Sequence, residues 1–200
     1  MLKSFFNQRA ASWDEISKQD MTKLEQMSRR LSIKPGSTLL DVGTGTGVFL
    51  PFLLSKIGHN GQIVALDFAG EMLKIARTKD FSRNVDYLCA DITNIPFDDE
   101  VFDAVVCHAC FPHFQDKPGA LSEMHRVAKG GGRLFICHTS SRAEINGMHR
   151  AIPAVQNDLI PDRTEMQEML STAGFTDIEI EDGSESYLCR SKKRYRRREL

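Results

Sequence analysis

At 200 residues, with 41% hydrophobic and 26% charged side chains, the chain has the make-up of an ordinary globular protein and enough length for one domain with a buried core. Its formal net charge of −1 excludes a uniformly basic or acidic surface, although seven of the nine residues 190–198 are Lys or Arg. No apolar run approaches the ~20 residues of a membrane span, residues 1–7 lack the apolar core of a signal peptide, and the five cysteines (89, 107, 110, 137 and 189) are an odd number. These features predict a cytoplasmic protein with reduced thiols rather than a disulfide framework.

Residues 3–31 carry Phe5, Phe6, Trp13, Ile16, Met21, Leu24, Met27 and Leu31 at spacings near three to four, which predicts an amphipathic helical segment. Periodicity alone fits a helical layer on a sheet. Lys34-Pro35-Gly36-Ser37 is a turn by composition. Leu39-Leu40-Asp41-Val42 then reads as a buried strand that ends in an acid and runs into Gly43-Thr44-Gly45-Thr46-Gly47. Glycines there permit positive φ and leave no side chain between backbone and ligand, beside the free N–H groups of a helix expected over about residues 47–57. The dinucleotide fingerprint G-x-G-x-x-G would need a glycine at position 48, which is Val48. After the turn 58–61, a second strand, Gln62-Ile63-Val64-Ala65-Leu66, ends in Asp67, twenty residues past Gly47. In a doubly wound sheet that puts a carboxylate at the neighbouring strand tip, where it can accept both hydroxyls of a ribose.

Residues 70–77 open a helix whose Met72, Leu73, Ile75 and Ala76 can pack on the sheet. Residues 85–89 make a third strand leading into Ala90-Asp91-Ile92. A fourth strand, 104–107, is followed by His108-Ala109-Cys110-Phe111-Pro112-His113-Phe114 at its C-terminal end, the edge where open α/β sheets bind ligands. A helix over Asp116–Lys129, stopped by Gly130-Gly131-Gly132, precedes a fifth strand at 133–137. From 139 to 160 strand character is lost, with a short Ser-capped helix over 140–150. A helix at about 163–173 and strands at about 176–181 and 185–190 complete seven strands, without internal repeat or second domain.

The segments Leu39–Gly47, Ala65–Leu73, Ala90–Phe97 and Phe102–Phe135 resemble the successive motifs of class I S-adenosylmethionine-dependent methyltransferases, within the group that includes the quinone-biosynthesis methyltransferases. The resemblance implies an α/β fold, a Rossmann-like, doubly wound, mostly parallel seven-stranded sheet with helices on both faces and the last strand antiparallel. It implies a single domain over residues 1–190, with residues 1–35 as a helical lid, 139–162 as an acceptor-side cap and 191–200 as a basic tail. Phe5–Asp14 resembles the segment that folds over the cofactor in such enzymes, with Trp13 helping to exclude water. The implied cofactor is S-adenosylmethionine and the product S-adenosylhomocysteine. Asp41, Gly43, Thr44, Gly45 and Gly47 would shape the methionine-binding turn, and Asp67 would hold the ribose. Phe68, Ala90, Asp91 and Ile92 would frame the adenine, with Asp91 accepting from the exocyclic amine, and Met72 and His108 complete the cofactor set.

Because that cofactor carries an activated methyl group, the protein need only position an acceptor, exclude water and, for some acceptors, remove a proton. The expected reaction is an in-line displacement at the sulfonium methyl without a covalent enzyme intermediate. Base candidates are His108 and His113 after the fourth strand and His138 and His149 after the fifth, and neighbouring strands would gather all four around one pocket. Each also fits a structural or rim histidine. His138 and His149, with Ser140, Ser141, Arg142 and Asn146, suggest a polar acceptor, with Arg142 pairing an anionic group. Cys107-x2-Cys110-x2-His113 beside Cys137-His138 has the residue types of a soft-metal site. Alternation, however, turns Cys107 and Cys137 into the core, and no metal is assigned. The basic tail has Tyr195 as its one aromatic and reads as solvated rather than as a nucleic-acid patch. The sequence thus predicts methyl transfer to a small-molecule acceptor by a monomer or homodimer that engages neither membrane nor nucleic acid. Two alternatives stay open: an S-adenosylmethionine-binding partner protein that performs no transfer, and a nicotinamide-dependent oxidoreductase on the same kind of sheet.

Overall fold

The computed structural model describes residues 2–81 and 84–195. Its strands are β1 (Thr38–Val42), β2 (Gln62–Asp67), β3 (Val85–Cys89), β4 (Phe102–His108), β5 (Ala128–His138), β6 (Phe175–Asp182) and β7 (Tyr187–Lys193). They form one sheet in the order β3-β2-β1-β4-β5-β7-β6. Strands β1 to β5 pair in parallel, and β7 lies antiparallel between β5 and β6. The direction of winding reverses between β1 and β4, and the crevice above that reversal is where a doubly wound sheet offers its strand tips to a ligand.

Eight helices cover the sheet among the described residues: α1 (Leu2–Arg9), α2 (Trp13–Ser17), α3 (Met21–Arg30), α4 (Leu50–Ile57), α5 (Gly70–Thr78), α6 (Lys117–Val127), α7 (Arg142–Arg150) and α8 (Arg163–Thr172). The central strands are buried on both faces, which is why their sequences are continuous apolar runs rather than alternating ones. One face of the sheet, with Val105, Leu134 and Ile136, packs against Leu121 and Met124 of α6 and Met166 and Leu170 of α8. The other, with Ala104, Val106 and Phe135, receives Leu24 and Met27 of α3 and Leu50 and Leu53 of α4. A smaller cluster joins Phe6 and Ala10 to Ala69 and Met72, fastening the N-terminal segment onto α5.

Several boundaries differ from the sequence expectation. The helical segment 3–31 is divided, because Asp20 caps a new helix: its carboxylate accepts from the N–H groups of Thr22 at 2.8 Å and Lys23 at 3.1 Å. The helix expected from 47 starts at Leu50, with Pro51 in its first turn. The helix expected to reach Lys129 ends at Val127, and the three glycines lie inside β5 rather than stopping the helix. The N–H groups of Glu100 and Val101 bind the carbonyls of Arg126 and Val127 at 3.1 and 2.8 Å. Those bonds draw the chain into pairing with β4 before the glycines are reached. Strand β7 likewise runs through Lys193, so the basic stretch begins within the sheet. The Lys193 side chain is buried, its ammonium donating to the Arg126 carbonyl at 3.2 Å and lying 3.4 Å from Glu100. Arg190 pairs with Glu179 and Glu181. The remainder of the expected tail, residues 196–200, lies outside the described residues.

Candidate active site

The tips of β1, β2 and β4 open into a cavity whose floor is the turn after β1. Gly43 and Gly45 both take positive φ, at 66° and 57°, for different reasons. A Cβ on Gly43 would lie 2.4 Å from the Cβ of Cys110, so the missing side chain is what lets the β4 tip close over the turn. A Cβ on Gly45 would meet nothing within 4 Å, and Gly45 lines the cavity. Gly47 faces the other way. It does not line this cavity, and a Cβ there would strike the ring of Phe81 at 2.6 Å, so this expected contact residue packs the turn instead.

Asp67 stitches the two strand tips together. One carboxylate oxygen accepts from the Gly45 N–H at 2.8 Å and the other from the Ala69 N–H at 2.8 Å. Burial nevertheless pushes its pKa up to about 6, against the pull of those two bonds. Asp41, fully buried beneath the turn, is pushed up to about 7 by burial and, less, by the charge of Asp67, against the pull of the nearby Thr44 side chain. Its Oδ2, Thr44 Oγ1 and His108 Nε2 are buried without a hydrogen-bond partner among the described residues, and all three residues line the cavity. Buried polar atoms without partners are costly. A ligand carrying charged donors and acceptors would satisfy them, and S-adenosylmethionine, whose methionine end has an ammonium and a carboxylate, fits that donor set. Phe68, Met72, Ala90, Asp91 and Ile92 line the neighbouring wall, where Asp91 also accepts from the N–H and hydroxyl of Thr93 at 2.9 and 2.8 Å.

The N-terminal segment roofs the cavity with Leu2, Phe6 and Trp13. Phe6 is the joint: its ring lies edge-on to Phe68 at 5.9 Å, to Trp13 at 5.5 Å and to His113 at 5.0 Å. Asp14 anchors the segment, accepting from the Thr46 hydroxyl at 2.5 Å and pairing with Lys79 at 2.6 Å. The sequence gives no sign of the Asp14 contacts, which join residues 32 and 65 apart.

The four expected histidines gather, but only His108 and His113 reach the cavity wall. His108 stacks on Phe49 at 4.5 Å, and burial lowers its pKa to about 4, so it is neutral. His138, at the end of β5, points to the opposite face, near Tyr187, with its Nε2 unpartnered. Burial and the nearby His108, His113 and His149 hold it well below the usual histidine range. His149 of α7 packs behind His113 at 4.8 Å between ring centres. His113 Nδ1 lies 2.9 Å from the Asp158 carboxylate, a partner no motif announced. The polar groups expected to meet an acceptor are spent on the scaffold. Arg142 pairs with Asp182 at 2.6 Å, Ser141 caps α7, and Asn146 exchanges two hydrogen bonds with the backbone of Ile160. Each is the cheaper solution for a polar group that the fold has buried or half-buried.

All five cysteines are free. Cys107 and Cys137 sit in the cores on opposite faces of the sheet. Cys110 contacts Cys107, 2.9 Å between sulfurs, and donates to the Val42 carbonyl at 2.9 Å. Among the described residues no group of three or more His, Cys, Asp or Glu side chains is placed to hold a metal ion, and no helix is long and apolar enough to cross a membrane.

Comparison with known proteins agrees with this geometry. Residues 40–136 match the family model described as a methyltransferase domain. A demethylmenaquinone methyltransferase of Geobacillus kaustophilus is 30% identical over 183 residues, covering 78% of this chain and 78% of the relative. Among solved structures, a chain of the complex between the Haloferax volcanii Trm112 methyltransferase activator and a methyltransferase superposes with a TM-score of 0.82 at 21% identity, covering 98% of this chain and 99% of that one. A SAM-dependent methyltransferase of Aquifex aeolicus gives 0.74 at 24% identity over 93% and 97% of the two chains. These matches set aside the nicotinamide alternative, and S-adenosylmethionine is the cofactor. The chain belongs to the class I S-adenosylmethionine-dependent methyltransferases, of the type that includes the quinone-biosynthesis methyltransferases.

Proposed function

We propose that the chain methylates a small, largely apolar acceptor bearing an ionisable hydroxyl, a hydroquinone-like ring being the first class to test. The observation that carries this reading is the shared roof. Phe6 covers both the Phe68 wall and the His113 wall, so donor and acceptor would occupy one water-poor space with room for a small molecule. The polar groups of α7 once expected to greet an anionic acceptor are committed elsewhere, which leaves Phe49, Phe114, His108 and His113, with the polar Gln19, Gln115 and Asp116, as the lining an acceptor would meet. The kinship with demethylmenaquinone methyltransferases supports the hydroquinone class.

Bound S-adenosylmethionine supplies a methyl group on a positively charged sulfur. Asp41 and Thr44 would hold its methionine end, Asp67 the ribose, and Phe68, Asp91 and Ile92 the adenine, while the Phe6 and Trp13 roof keeps water out. His113 would take the acceptor's hydroxyl proton on Nε2 as that oxygen, or the ring carbon ortho to it, bonds the methyl carbon; on the carbon route the ring C–H proton is lost afterwards to restore the aromatic ring. What the cofactor would supply is a sulfur that departs with the electron pair of its bond to the methyl carbon, so the chain has no further leaving group to stabilise. S-adenosylhomocysteine release should be followed over a reduced demethylated naphthoquinone, phenols, thiols, amines and an arsenite salt. Turnover with the naphthoquinol or a phenol supports the proposal. Turnover confined to thiols, amines or arsenite would overturn it, as would binding of S-adenosylmethionine without turnover of any acceptor, which would leave the non-catalytic alternative.

A further inference from the structure

We infer that Asp158, in the loop between α7 and α8, is the positioning residue for His113, fixing its proton on Nδ1 and leaving Nε2 free to act as a base. The inference rests on the reading of His113 as the acceptor-side base. Three contacts carry it, and the chemistry of each partner removes the ambiguity of the imidazole proton. Asp158 Oδ2 lies 2.9 Å from His113 Nδ1. The carboxyl is held below its usual range because the bond to His113, with Gln115 and Lys117, outweighs its burial. An ionised carboxylate can only accept, so Nδ1 must carry the proton. His149 Nδ1 bonds the backbone carbonyl of the same Asp158. A carbonyl also only accepts, so His149 is a donor and clamps the loop that carries the carboxylate. Gln115 completes the set, its amide donating to Asp158 Oδ1 at 3.3 Å.

The geometry therefore couples α7, through His149, to the ring on the cavity wall, with the two imidazole rings 4.8 Å apart. His113 is faced by Asp158 from this loop, His149 from α7 and Lys117 from α6. Its burial is the largest influence and keeps it neutral below the ordinary histidine range, opposed by Asp158 and aided by His149 and Lys117. A neutral ring with a defined tautomer is what a general base needs. A carboxylate partner makes the ring more basic and stabilises the imidazolium that forms when the proton arrives.

The test is nitrogen-15 NMR of the histidines in the full chain saturated with S-adenosylhomocysteine, with His113 assigned from the His113→Gln variant. The expected wild-type spectrum shows His113 in the Nδ1–H tautomer. Asp158→Ala should mix the tautomers, Asp158→Asn should lower the His113 pKa further by removing the negative charge, and Asp158→Glu should restore part of both. With the acceptor that turns over, Asp158→Asn should lower kcat about 10- to 100-fold, shift the acid limb of the pH profile downward and leave KM for S-adenosylmethionine within about twofold. Should Asp158→Ala fail to fold, the near-isosteric Asn variant carries the pKa and kinetic readouts. A His113 tautomer other than Nδ1–H in the wild type, or a His113 pKa unmoved in Asp158→Asn, overturns the inference. The spectra need no acceptor. An Asp158-dependent Nδ1–H tautomer in a protein that methylates nothing would uphold the positioning role while refuting the proposed acceptor. Turnover of a naphthoquinol with an Asp158-independent ring would do the reverse.

Discussion

On the side of the cavity proposed for the cofactor the shaping atoms are largely backbone. The Gly45 N–H reaches Asp67 across 22 residues, the Ala69 N–H reaches it across two, and positive φ at the turn glycines does the rest. On the side proposed for the acceptor the shaping atoms are side chains with distant partners: His113 and Gln115 with Asp158, across 45 and 43 residues. The first arrangement follows from local chain geometry and tolerates little change. The second hangs on the loop after α7, which can be rebuilt without touching the strand tips. A fold of this kind can thus hold one donor constant while its acceptor site is remade.

The sharpest way to break that contrast is Gly43→Ala. The new Cβ would fall 2.4 Å from the Cys110 Cβ on backbone at φ +66°. Left-handed strain and overpacking together should cost up to about 5 kcal/mol, seen as a lower Tm and loss of S-adenosylmethionine binding by calorimetry. Gly45→Ala has open space above it and should cost only the strain, about 1–2 kcal/mol. Equal losses in the two variants would show that crowding against Cys110 is not what selects glycine at 43.

Next in size is the pH dependence of the apo protein. The fold raises the Asp41 pKa from 3.8 to about 7, so the folded chain keeps a proton that the unfolded chain surrenders near pH 4. Stability is then greatest below pH 4 as far as this group is concerned, and is lost as pH rises towards 7. At about 1.36 kcal/mol per unit the loss approaches about 4 kcal/mol, and Asp67 adds the same sign up to about pH 6. Asp41→Asn should flatten this slope and raise the apo Tm at pH 8 while weakening S-adenosylmethionine binding. A slope unchanged by the substitution would mean that Asp41 is ionised in the fold.

These residues also mark how far the sequence could be read. Asp41, Asp67 and the glycine turn were legible because each sits at the end of an apolar run, where strand geometry alone sets its place. Seven strands followed from the same runs, while the antiparallel direction of the last one came from the family resemblance and not from any run. What spacing cannot tell is which turn glycine faces the cavity, as Gly45 does, and which packs against Phe81, as Gly47 does. The glycines at 130–132 were misread as a helix stop because pairing of Ala128 with Phe102 begins earlier, a tertiary effect that local composition does not carry. The polar cluster from Ser141 to Asn146 looked like an acceptor site because its real partners, Asp182 and Ile160, lie in other elements. Asp158 stands in no motif, and only the folded loop brings it to His113.

Phe6→Ala tests the part that belongs to both halves. Phe6 touches Phe68 on one side and His113 on the other, so truncation removes packing worth roughly 2–3 kcal/mol. Donor affinity and acceptor KM should both worsen, each by about tenfold or more. A defect in donor binding alone, measured by calorimetry beside steady-state kinetics, would place the roof over the cofactor only and separate the two halves completely.

The smallest effect should come from Arg142→Ala. Its pair with Asp182 is partly open to solvent, with side-chain exposures of 32% and 22%, and such pairs contribute about 1 kcal/mol or less. The Asp182 bond holds the guanidinium charge at the far edge of the sheet, on β6, rather than at the cavity, whose lining does not include Arg142. Acceptor KM should therefore stay within about twofold of wild type, with Tm lower by a few degrees. A tenfold rise in acceptor KM with an unchanged Tm would put the arginine back at the substrate, and the acceptor would then have to carry a negative charge.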